Sequence, residues 1–262
     1  MDSFAKSRNK LLPQDVIGFR LIELQQVDST NNYATALAHA GMAQHGCVVW
    51  AHHQTTGKGQ RSKSWEAAVG ENITASFIID PSALSLSRAF GLSMAVAIAV
   101  QRFFSAYAGA QTKVKWPNDL YWGDRKAGGI LIENSLSGSD WRLAVIGIGI
   151  NINQTAFGEM SSRAVSLKQL TGKTYVIRDL IPALAAQVQQ AFTELLSDSA
   201  GIENAYHQML YKRGERVRLK KGGRVFEALI KGVTSGGQLV AHHITDETFD
   251  VGEVEWLFNP PS

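Results

Sequence analysis

The chain has 262 residues, 45% hydrophobic and 19% charged, a composition that excludes a disordered chain and is typical of a soluble globular protein. Its formal net charge of +3 permits an anionic ligand but does not by itself require nucleic acid. Cys47 is the only cysteine, which excludes a disulfide framework and a thiolate zinc cluster and fits a reducing compartment.

Two segments bear on cellular location. Residues 1–9 are polar and lack the apolar region of a signal peptide. The most apolar long segment, 90–110, contains Gln101 and Arg102, so a buried helix is predicted there rather than a membrane span. We therefore expect a cytoplasmic protein without a membrane partner.

Residues 1–213 are predicted to form one large domain of alternating strands and helices after an arm at 1–18. Short apolar runs predict strands, and longer runs with apolar residues at helical spacing predict helices. The predicted strands are 21–25, 46–52, 72–79, two strands within 115–133 that meet at Gly123-Asp124, and 141–151, which is apolar enough to be buried on both faces. One predicted helix starts at 28–31 and ends at Ala40. Two others cover 86–107 and 177–196.

The pattern changes after Arg213. From Arg216 onward, short alternating strands are separated by Gly-Gly turns at 222–223 and 236–237. This pattern predicts a small β-barrel domain over residues 214–262.

The loop from Gln54 to Trp65 combines two glycines, several cations and a closing tryptophan. Glycine lets the backbone approach a ligand, the cations suit phosphate or carboxylate, and the indole offers a stacking surface for a purine. A solvated basic loop has the same composition, so the loop alone leaves both interpretations open. It is neither a Walker A loop nor a dinucleotide fingerprint.

Charge is concentrated in the predicted strand pair 115–133, where a core strand would be apolar or alternating. Polar groups forced into a sheet usually line a site. With this segment in view, the chain resembles the biotin protein ligases. The segments that carry the resemblance, in order, are Asp-Ser-Thr-Asn at 28–31, the Gly-rich loop at 57–65, Lys-Trp-Pro-Asn-Asp at 115–119, Lys126 to Glu133, Gly147 to Asn151, and Gly252-Glu253-Val254.

The resemblance implies an α+β fold: a mixed, largely antiparallel sheet with helices, like that of class II aminoacyl-tRNA synthetases, followed by a small SH3-like barrel. It implies an ATP-dependent ligase that forms biotinyl-5′-AMP and transfers biotin to a lysine of a biotin carboxyl carrier protein, with Mg²⁺ accompanying ATP. Fewer than 30 residues precede the first motif, too few for the DNA-binding domain of some members, so no DNA partner is expected. The family contains monomers and dimers, which leaves a homodimer open.

The resemblance also implies roles for individual residues. The expected catalytic residues are Lys126, Arg61 and Asp119, with Lys126 between the biotin carboxylate and the α-phosphate. The expected biotin-binding residues are Ser29, Thr30, Asn31, Gln54, Gly57, Lys58, Gly59, Gln60, Lys126, Gly128 and Gly129. The expected ATP-binding residues are Lys58, Arg61, Trp65, Asn118, Lys126 and Asn151.

Several of these roles have plainer alternatives. Lys126 could be an exposed strand lysine paired with Asp124, and Ser29 could simply cap a helix. Asn118 and Asp119 could hold the phosphates directly, act through Mg²⁺, or fix Lys126 in place. The family's usual arginines are replaced by Lys58 and Gln60, and Arg61 or Lys63 would then compensate.

Two other functions compete with biotin ligation. A lipoate-protein ligase-like acyltransferase shares the fold, but the chain lacks the Arg-Arg-x-x-Gly-Gly-Gly segment of those enzymes. A non-enzymatic nucleic-acid-binding protein is suggested by the basic run at 216–224. Such a run is usually a solvated face, and only Phe226 stands among its cations as a stacking residue.

Overall fold

The computed structural model describes residues 19–138 and 140–258, except for the side chain of Ser62. The predicted arm at 1–18 lies outside this part of the chain. The described residues form an α+β fold with a seven-stranded sheet, a five-stranded C-terminal sheet and five α-helices. The predicted α+β class with a mixed sheet is confirmed.

The strands have the following bounds: β1 Leu21–Val27, β2 Val48–Gln54, β3 Asn72–Ile79, β4 Thr112–Lys115, β5 Asp119–Trp122, β6 Arg125–Ser137, β7 Asp140–Asn151, β8 Arg216–Lys221, β9 Arg224–Val233, β10 Leu239–His242, β11 Asp246–Phe249 and β12 Glu255–Leu257. The helices are α1 Thr30–His39, α2 Ala89–Ala108, α3 Leu167–Thr171, α4 Ile177–Ser197 and α5 Ser199–Met209. Short 3₁₀ turns cover Gln60–Ser62, Leu86–Arg88 and Gly158–Met160.

The seven-stranded sheet has the order β1-β2-β3-β7-β6-β5-β4. Only β1 and β2 pair in parallel, and every other neighbouring pair is antiparallel. Strands β3 and β7 lie in the middle and are buried along most of their length, as their apolar sequences predict. The sheet is therefore mixed and largely antiparallel.

Helices cover the two faces of this sheet unequally. α2 lies in the main core against α4 and α5, with Ile146, Ile148 and Ile150 of β7 on the same side. α1 packs on the opposite face, in a smaller core with Val145. By length and composition, Leu86–Ala108 could cross a membrane, but 61% of its most apolar window is buried inside the fold. It packs as the core helix that the sequence predicts.

Two details of the predicted elements need correction. The charged segment does not begin as a strand at Lys115, because β4 ends there and Trp116, Pro117 and Asn118 form a turn into β5. The Trp116–Pro117 peptide in this turn is cis. Helices α3 and α5 were missed, although Ser166 and Gln169 form a capping box at the start of α3.

The C-terminal sheet has the order β11-β10-β9-β8-β12 and is antiparallel throughout. It contacts the larger part of the chain through the turn before β10. The Trp116 indole N–H donates a 2.8 Å hydrogen bond to the carbonyl oxygen of Gly237. Phe90 packs directly on the Gly237 α-carbon, where a side chain would collide with the ring. The contact thus requires a residue without a side chain.

Replacing Gly237 with Ala should lower the free energy of unfolding by about 2 kcal/mol or more. The residue has a φ of +95°, which disfavours a side chain, and an added Cβ would lie 2.5 Å from Phe90 Cδ2. Urea denaturation measures the change. The control is Gly236→Ala, whose Cβ would meet only Thr234 Oγ1 at 3.7 Å. Equal stability of the two variants would contradict the docking role of Gly237.

Candidate active site

A cavity of about 800 Å³ lies on the α1 face of the seven-stranded sheet. The C-terminal sheet closes one side of it with residues 251–256 and Phe258. Most of the predicted site residues lie on its wall: Ser29, Thr30, Asn31, Gln54, Lys58, Gly59, Gln60, Arg61, Trp65, Asn118, Asp119, Lys126 and Gly129. Gly57, Gly128 and Asn151 are not on the wall. The cavity thus gathers residues from α1, β2, the loop after β2, and the β5–β6 hairpin.

A shift in strand register turns Lys126 toward this cavity. Asp119 pairs with Gly129 and Leu120 with Gly128, but Tyr121 pairs with Lys126, so Ala127 is an extra residue. Ala127 is fully buried in the main core. Because successive strand residues point to opposite faces, the extra residue places Lys126 on the same face as Asp119.

Lys126 and Asp119 form an ion pair on the cavity floor, with 2.6 Å between Lys126 Nζ and Asp119 Oδ1. The Lys126 backbone is held on its other side as well: its N–H donates to Arg163 O at 2.7 Å, and its carbonyl accepts from Val165 N at 2.9 Å. The alternative pairing of Lys126 with Asp124 is wrong. Asp124 instead accepts a 2.7 Å hydrogen bond from the Tyr211 hydroxyl.

A buried polar network forms the end of the cavity next to α1. Gln54 Oε1 accepts hydrogen bonds from the backbone N–H and the hydroxyl of Thr30, at 2.8 and 2.9 Å. Ser76 Oγ lies 2.8 Å from Thr30 Oγ1 and 2.6 Å from Asn31 Oδ1. Asn31 Nδ2 in turn donates to Glu133 at 2.7 Å. The network fixes amide and hydroxyl groups in one arrangement, which suits recognition of a small polar ring.

Ser29 stands apart from this network. It is the N-cap residue of α1, yet its hydroxyl makes no capping hydrogen bond to the helix. The capping interpretation of its side chain is therefore wrong. The residue is 2% exposed and lines the cavity, which leaves the hydroxyl available to a ligand.

The loop after β2 folds back on itself as a small hairpin. Gly59 N donates to Lys63 O at 2.7 Å, and Trp65 N donates to Gly57 O at 2.9 Å. A side chain at Gly57 would overlap the carbonyl oxygen of Trp65, so this glycine serves the closure of the loop. Lys58 reaches across to Glu133, with 3.5 Å between Nζ and Oε1.

The tip of the loop contacts the C-terminal sheet. Arg61 has a left-handed backbone with φ of 56° and ψ of 48°. Its guanidinium lies against the α-carbon of Gly252, where any side chain would occupy the same space. The Gly252 motif residue thus makes room for Arg61, and the loop and the C-terminal sheet close the cavity together.

Trp65 lies over β7. A Cβ on Gly149 would overlap the Trp65 ring, and a Cβ on Gly147 would lie 2.5 Å from Asn31 Oδ1. The two glycines alternate on the cavity face of a buried strand and leave space above the sheet. The segment Gly147 to Asn151 carries the family resemblance, but this role of its glycines was not predicted. The glycines at alternating positions were the signal.

Three of the predicted site residues hold together the strands and turns that form the cavity wall. Asn118 Nδ2 donates to Ile130 O at 2.5 Å, which ties the turn before β5 to β6. Asn151 Nδ2 lies 3.2 Å from Val165 O and 3.4 Å from Lys126 O, behind the cavity wall. Gly128 packs against β7, where a Cβ would lie 2.6 Å from Gly149 O. Asn151 and Gly128 therefore support the strand that carries Lys126.

Lys115, the last residue of β4, lies on the cavity wall although no role was predicted for it. Its Nζ lies 5.4, 5.2 and 5.6 Å from the ring centroids of Tyr121, Trp256 and Phe258. Among the ion pairs of the described residues, none involves Lys115. Burial lowers the pKa of Lys115 from 10.5 to about 8; Asp119 opposes the shift, whereas Lys126 and Lys63 add to it.

Part of the chain matches a known protein family. Residues 23–151 match the model of the Biotin/lipoate A/B protein ligase family. The bifunctional ligase/repressor BirA of Bacillus spizizenii is 36% identical over 165 residues, which cover 62% of this chain and 50% of the relative. The chain thus spans about half the length of that relative. The biotin--[acetyl-CoA-carboxylase] ligase of Paracoccus denitrificans is 28% identical over 226 residues, covering 83% of this chain and 92% of the relative.

A solved structure has the same fold. The biotin protein ligase from Aquifex aeolicus, in complex with biotin and ATP, superposes with a TM-score of 0.77 at 22% identity. The match covers 91% of this chain and 99% of that chain.

Replacing Gly149 with Ala should displace the Trp65 ring and loosen the loop, because an added Cβ overlaps the indole. Trypsin cleavage after Arg61 or Lys63 should then be several-fold faster than in the wild type. The control is Gly147→Ala on the same strand, which disturbs Asn31 but leaves the Trp65 contact intact. Identical cleavage rates in the wild type and Gly149→Ala would contradict this packing.

The lowered pKa of Lys115 predicts a pH-dependent stability. Between about pH 8 and 10.5 the unfolded chain keeps a proton on this amine that the folded chain has lost, so stability rises with pH in that window. Below about pH 8 the buried charge carries its full cost. The free energy of unfolding of the wild type, minus that of Lys115→Met, should therefore increase from about pH 7.5 to 10. A difference that stays constant or falls would contradict the shift.

Proposed function

Because the chain belongs to the biotin/lipoate A/B protein ligase family, we propose that it is an ATP-dependent biotin ligase. It activates biotin as biotinyl-5′-AMP and transfers the biotinyl group to a lysine of a biotin carboxyl carrier protein. The observation that carries this proposal is the Lys126–Asp119 pair. It fixes a cation in the cavity between the polar network next to α1 and the part under the loop after β2.

The first step joins two anions, the biotin carboxylate and the α-phosphate of ATP. Their repulsion must be offset where they meet, and negative charge grows on the α-phosphoryl oxygens in the transition state. Lys126 supplies the cation. Asp119 at 2.6 Å and the backbone hydrogen bonds to Arg163 and Val165 keep its amine in place, so little reorganisation is needed during the reaction. Asp119 is thus a positioning residue for Lys126.

Biotin occupies the end of the cavity next to α1. The ureido ring has two N–H donors and one carbonyl acceptor, and the network offers Thr30, Asn31 and Gln54 together with the uncommitted Ser29 hydroxyl. Gly129 lies between this end and Lys126, where an added Cβ would approach the Lys126 amine at 3.6 Å. The absence of a side chain there leaves a path for the ligand toward the cation.

The adenylate lies under the loop after β2. Trp65 provides the stacking surface for adenine, and Lys58, Gly59 and Gln60 cover the ligand from the loop. Gln60 carries no charge, so Arg61 supplies the cation of this segment while it bridges the loop to Gly252. With the loop closed over the ligand, water is kept from the mixed anhydride.

In the second step, the lysine amine of the carrier attacks the carbonyl carbon of biotinyl-5′-AMP. A carbon–nitrogen bond forms, the bond from carbon to the phosphate oxygen breaks, and AMP leaves with the electron pair while the amine loses a proton. Lys126 remains beside the phosphate and stabilises the departing charge.

Mg²⁺ enters with ATP. The carboxylates on the cavity wall are Asp119, Glu253 and Glu255, and each already pairs with a lysine of the chain. Among the described residues, no group of three or more His, Cys, Asp or Glu side chains stands ready for a metal ion. The chain would therefore supply few ligands, and Mg²⁺ would be held by the phosphates of ATP and by water.

The same proposal includes the division of the chain into two domains and the fold type of each. The larger unit, up to residue 213, is the catalytic domain of the class II aminoacyl-tRNA synthetase type. The C-terminal domain predicted over residues 214–262, which the structure describes as far as Phe258, is an SH3-like barrel. Support comes from the antiparallel five-stranded C-terminal sheet and from the change in sequence pattern after Arg213. The proposal also places the protein in the cytoplasm, which its single cysteine, Cys47, fits.

Incubation with biotin, MgATP and a purified biotin carrier domain should add one biotin to one lysine, detected by mass spectrometry. Lys126→Ala should reduce biotinyl-5′-AMP formation by at least about a hundredfold, since a fixed charge-stabilising group is worth that much in rate. The control is Lys113→Ala, whose amine lies outside the cavity wall near the Gln208 carbonyl.

Each outcome has a distinct meaning. No biotin transfer by the wild type would refute the ligase, and transfer of lipoate in its place would identify the acyltransferase alternative. Near-normal turnover of Lys126→Ala would refute the role of the lysine alone.

A further inference from the structure

We propose that Lys115 binds the pyrophosphate that leaves ATP during the adenylation step. This inference rests on the proposed function and deepens it, because it assigns a group to the half of ATP that the predicted site residues leave without a dedicated cation. Lys115 would touch the leaving group and is in that sense a catalytic residue.

The order of the strands carries the first part of the argument. The polar network lies on β2, β3 and α1, Lys126 on β6, Asp119 on β5 and Lys115 on β4, the edge strand. The register places Lys115 directly opposite Asp119, on the cavity face. Neighbouring strands are about 4.8 Å apart, so the strand of Lys115 lies about 10 Å beyond that of Lys126. The network, Lys126 and Lys115 thus follow one line across the sheet.

The entering and leaving groups of the reaction would lie along the same direction across the sheet. A biotin carboxylate oxygen attacks the α-phosphorus, and a new phosphorus–oxygen bond forms. The bond from the α-phosphorus to the oxygen that bridges to the β-phosphorus breaks, and pyrophosphate leaves with the electron pair. In displacement at phosphorus the entering and leaving oxygens lie roughly in line. With biotin entering from the β2–β3 side, pyrophosphate departs toward β4.

Among the described residues, Lys115 forms no ion pair with a carboxylate. Asp119, the carboxylate that faces it from β5, already pairs with Lys126 at 2.6 Å. The other neighbours are the Tyr121 ring from β5, Lys126 from β6, Lys63 from the loop, and the rings of Trp256 and Phe258 from the C-terminal segment. Removing a charge from water without an ion partner is costly, and a bound polyphosphate would offset that cost.

Other cations on the wall are less suited to this role. Lys63, Arg163 and Lys220 line the cavity but are exposed, and Lys220 lies 4.0 Å from Glu255. The three rings around Lys115 hold its amine in one place. A fixed cation stabilises the charge of a leaving group better than a mobile one, because less reorganisation is needed during the reaction.

The test compares Lys115→Met with the wild type in the two half-reactions. Methionine keeps the apolar stem in the aromatic cage and removes the charge. Biotinyl-5′-AMP synthesis from biotin and MgATP should fall by about tenfold to a hundredfold, the loss expected for one hydrogen bond to a charged group. Inhibition of synthesis by added inorganic pyrophosphate should weaken by a similar factor. Transfer of added biotinyl-5′-AMP to the carrier domain should stay within about threefold of the wild type, since no pyrophosphate is present.

Two further variants complete the design. Lys115→Arg restores the charge and should recover part of the pyrophosphate inhibition. Lys113→Met, two residues earlier on β4 and outside the cavity wall, should behave as the wild type in every assay. Unchanged synthesis and unchanged pyrophosphate inhibition in Lys115→Met would overturn the inference, as would an equal loss in both half-reactions, which indicates a structural role. A wild type that makes no biotinyl-5′-AMP would instead refute the proposed function.

Discussion

The site depends on one constraint: the Lys126 amine must be held in a fixed position on the cavity floor. Asp119 meets this constraint by pairing with Lys126 at 2.6 Å while the two side chains remain 19% and 32% exposed. The pair exists only because the register of β5 and β6 shifts by one residue. Without Ala127 as the extra residue, Lys126 would point into the core beneath α2, where a charge has no partner.

The rest of the cavity follows from how the sheet is covered. α2, α4 and α5 fill one face with apolar side chains, whereas α1 covers only part of the other. On the uncovered part, Gly129, Gly147 and Gly149 leave the backbone of β6 and β7 bare. Asn31 and Trp65 rest on this bare surface instead of filling it. The same glycines that would weaken an ordinary strand therefore create the space for a ligand.

The C-terminal sheet takes part in the site as well as in the fold. Gly237 meets Phe90 and Trp116, Gly252 meets Arg61, and Trp256 and Phe258 enclose Lys115. Two of these contacts need a glycine because a side chain would collide with its neighbour. The loop, the edge of the large sheet and the C-terminal sheet thus close the cavity jointly. This arrangement ties the position of the loop to that of the C-terminal sheet.

The sequence by itself determined the α+β class through the resemblance that its motifs carry. Apolar periodicity and residue type, which are local properties, determined the buried strands and the identity of the loop and the charged hairpin. The sequence also located most residues of the cavity wall, through motifs whose order along the chain is specific. The sequence has no further local signal for the site. Only the tertiary structure decided which side of the sheet each residue faces. The pairing of Lys126 with Asp119 rather than Asp124, the place of Asn151 behind the wall and the caging of Lys115 all depend on strand register and on contacts between distant segments. A local pattern carries no information on these, since one extra residue in a strand reverses every direction beyond it.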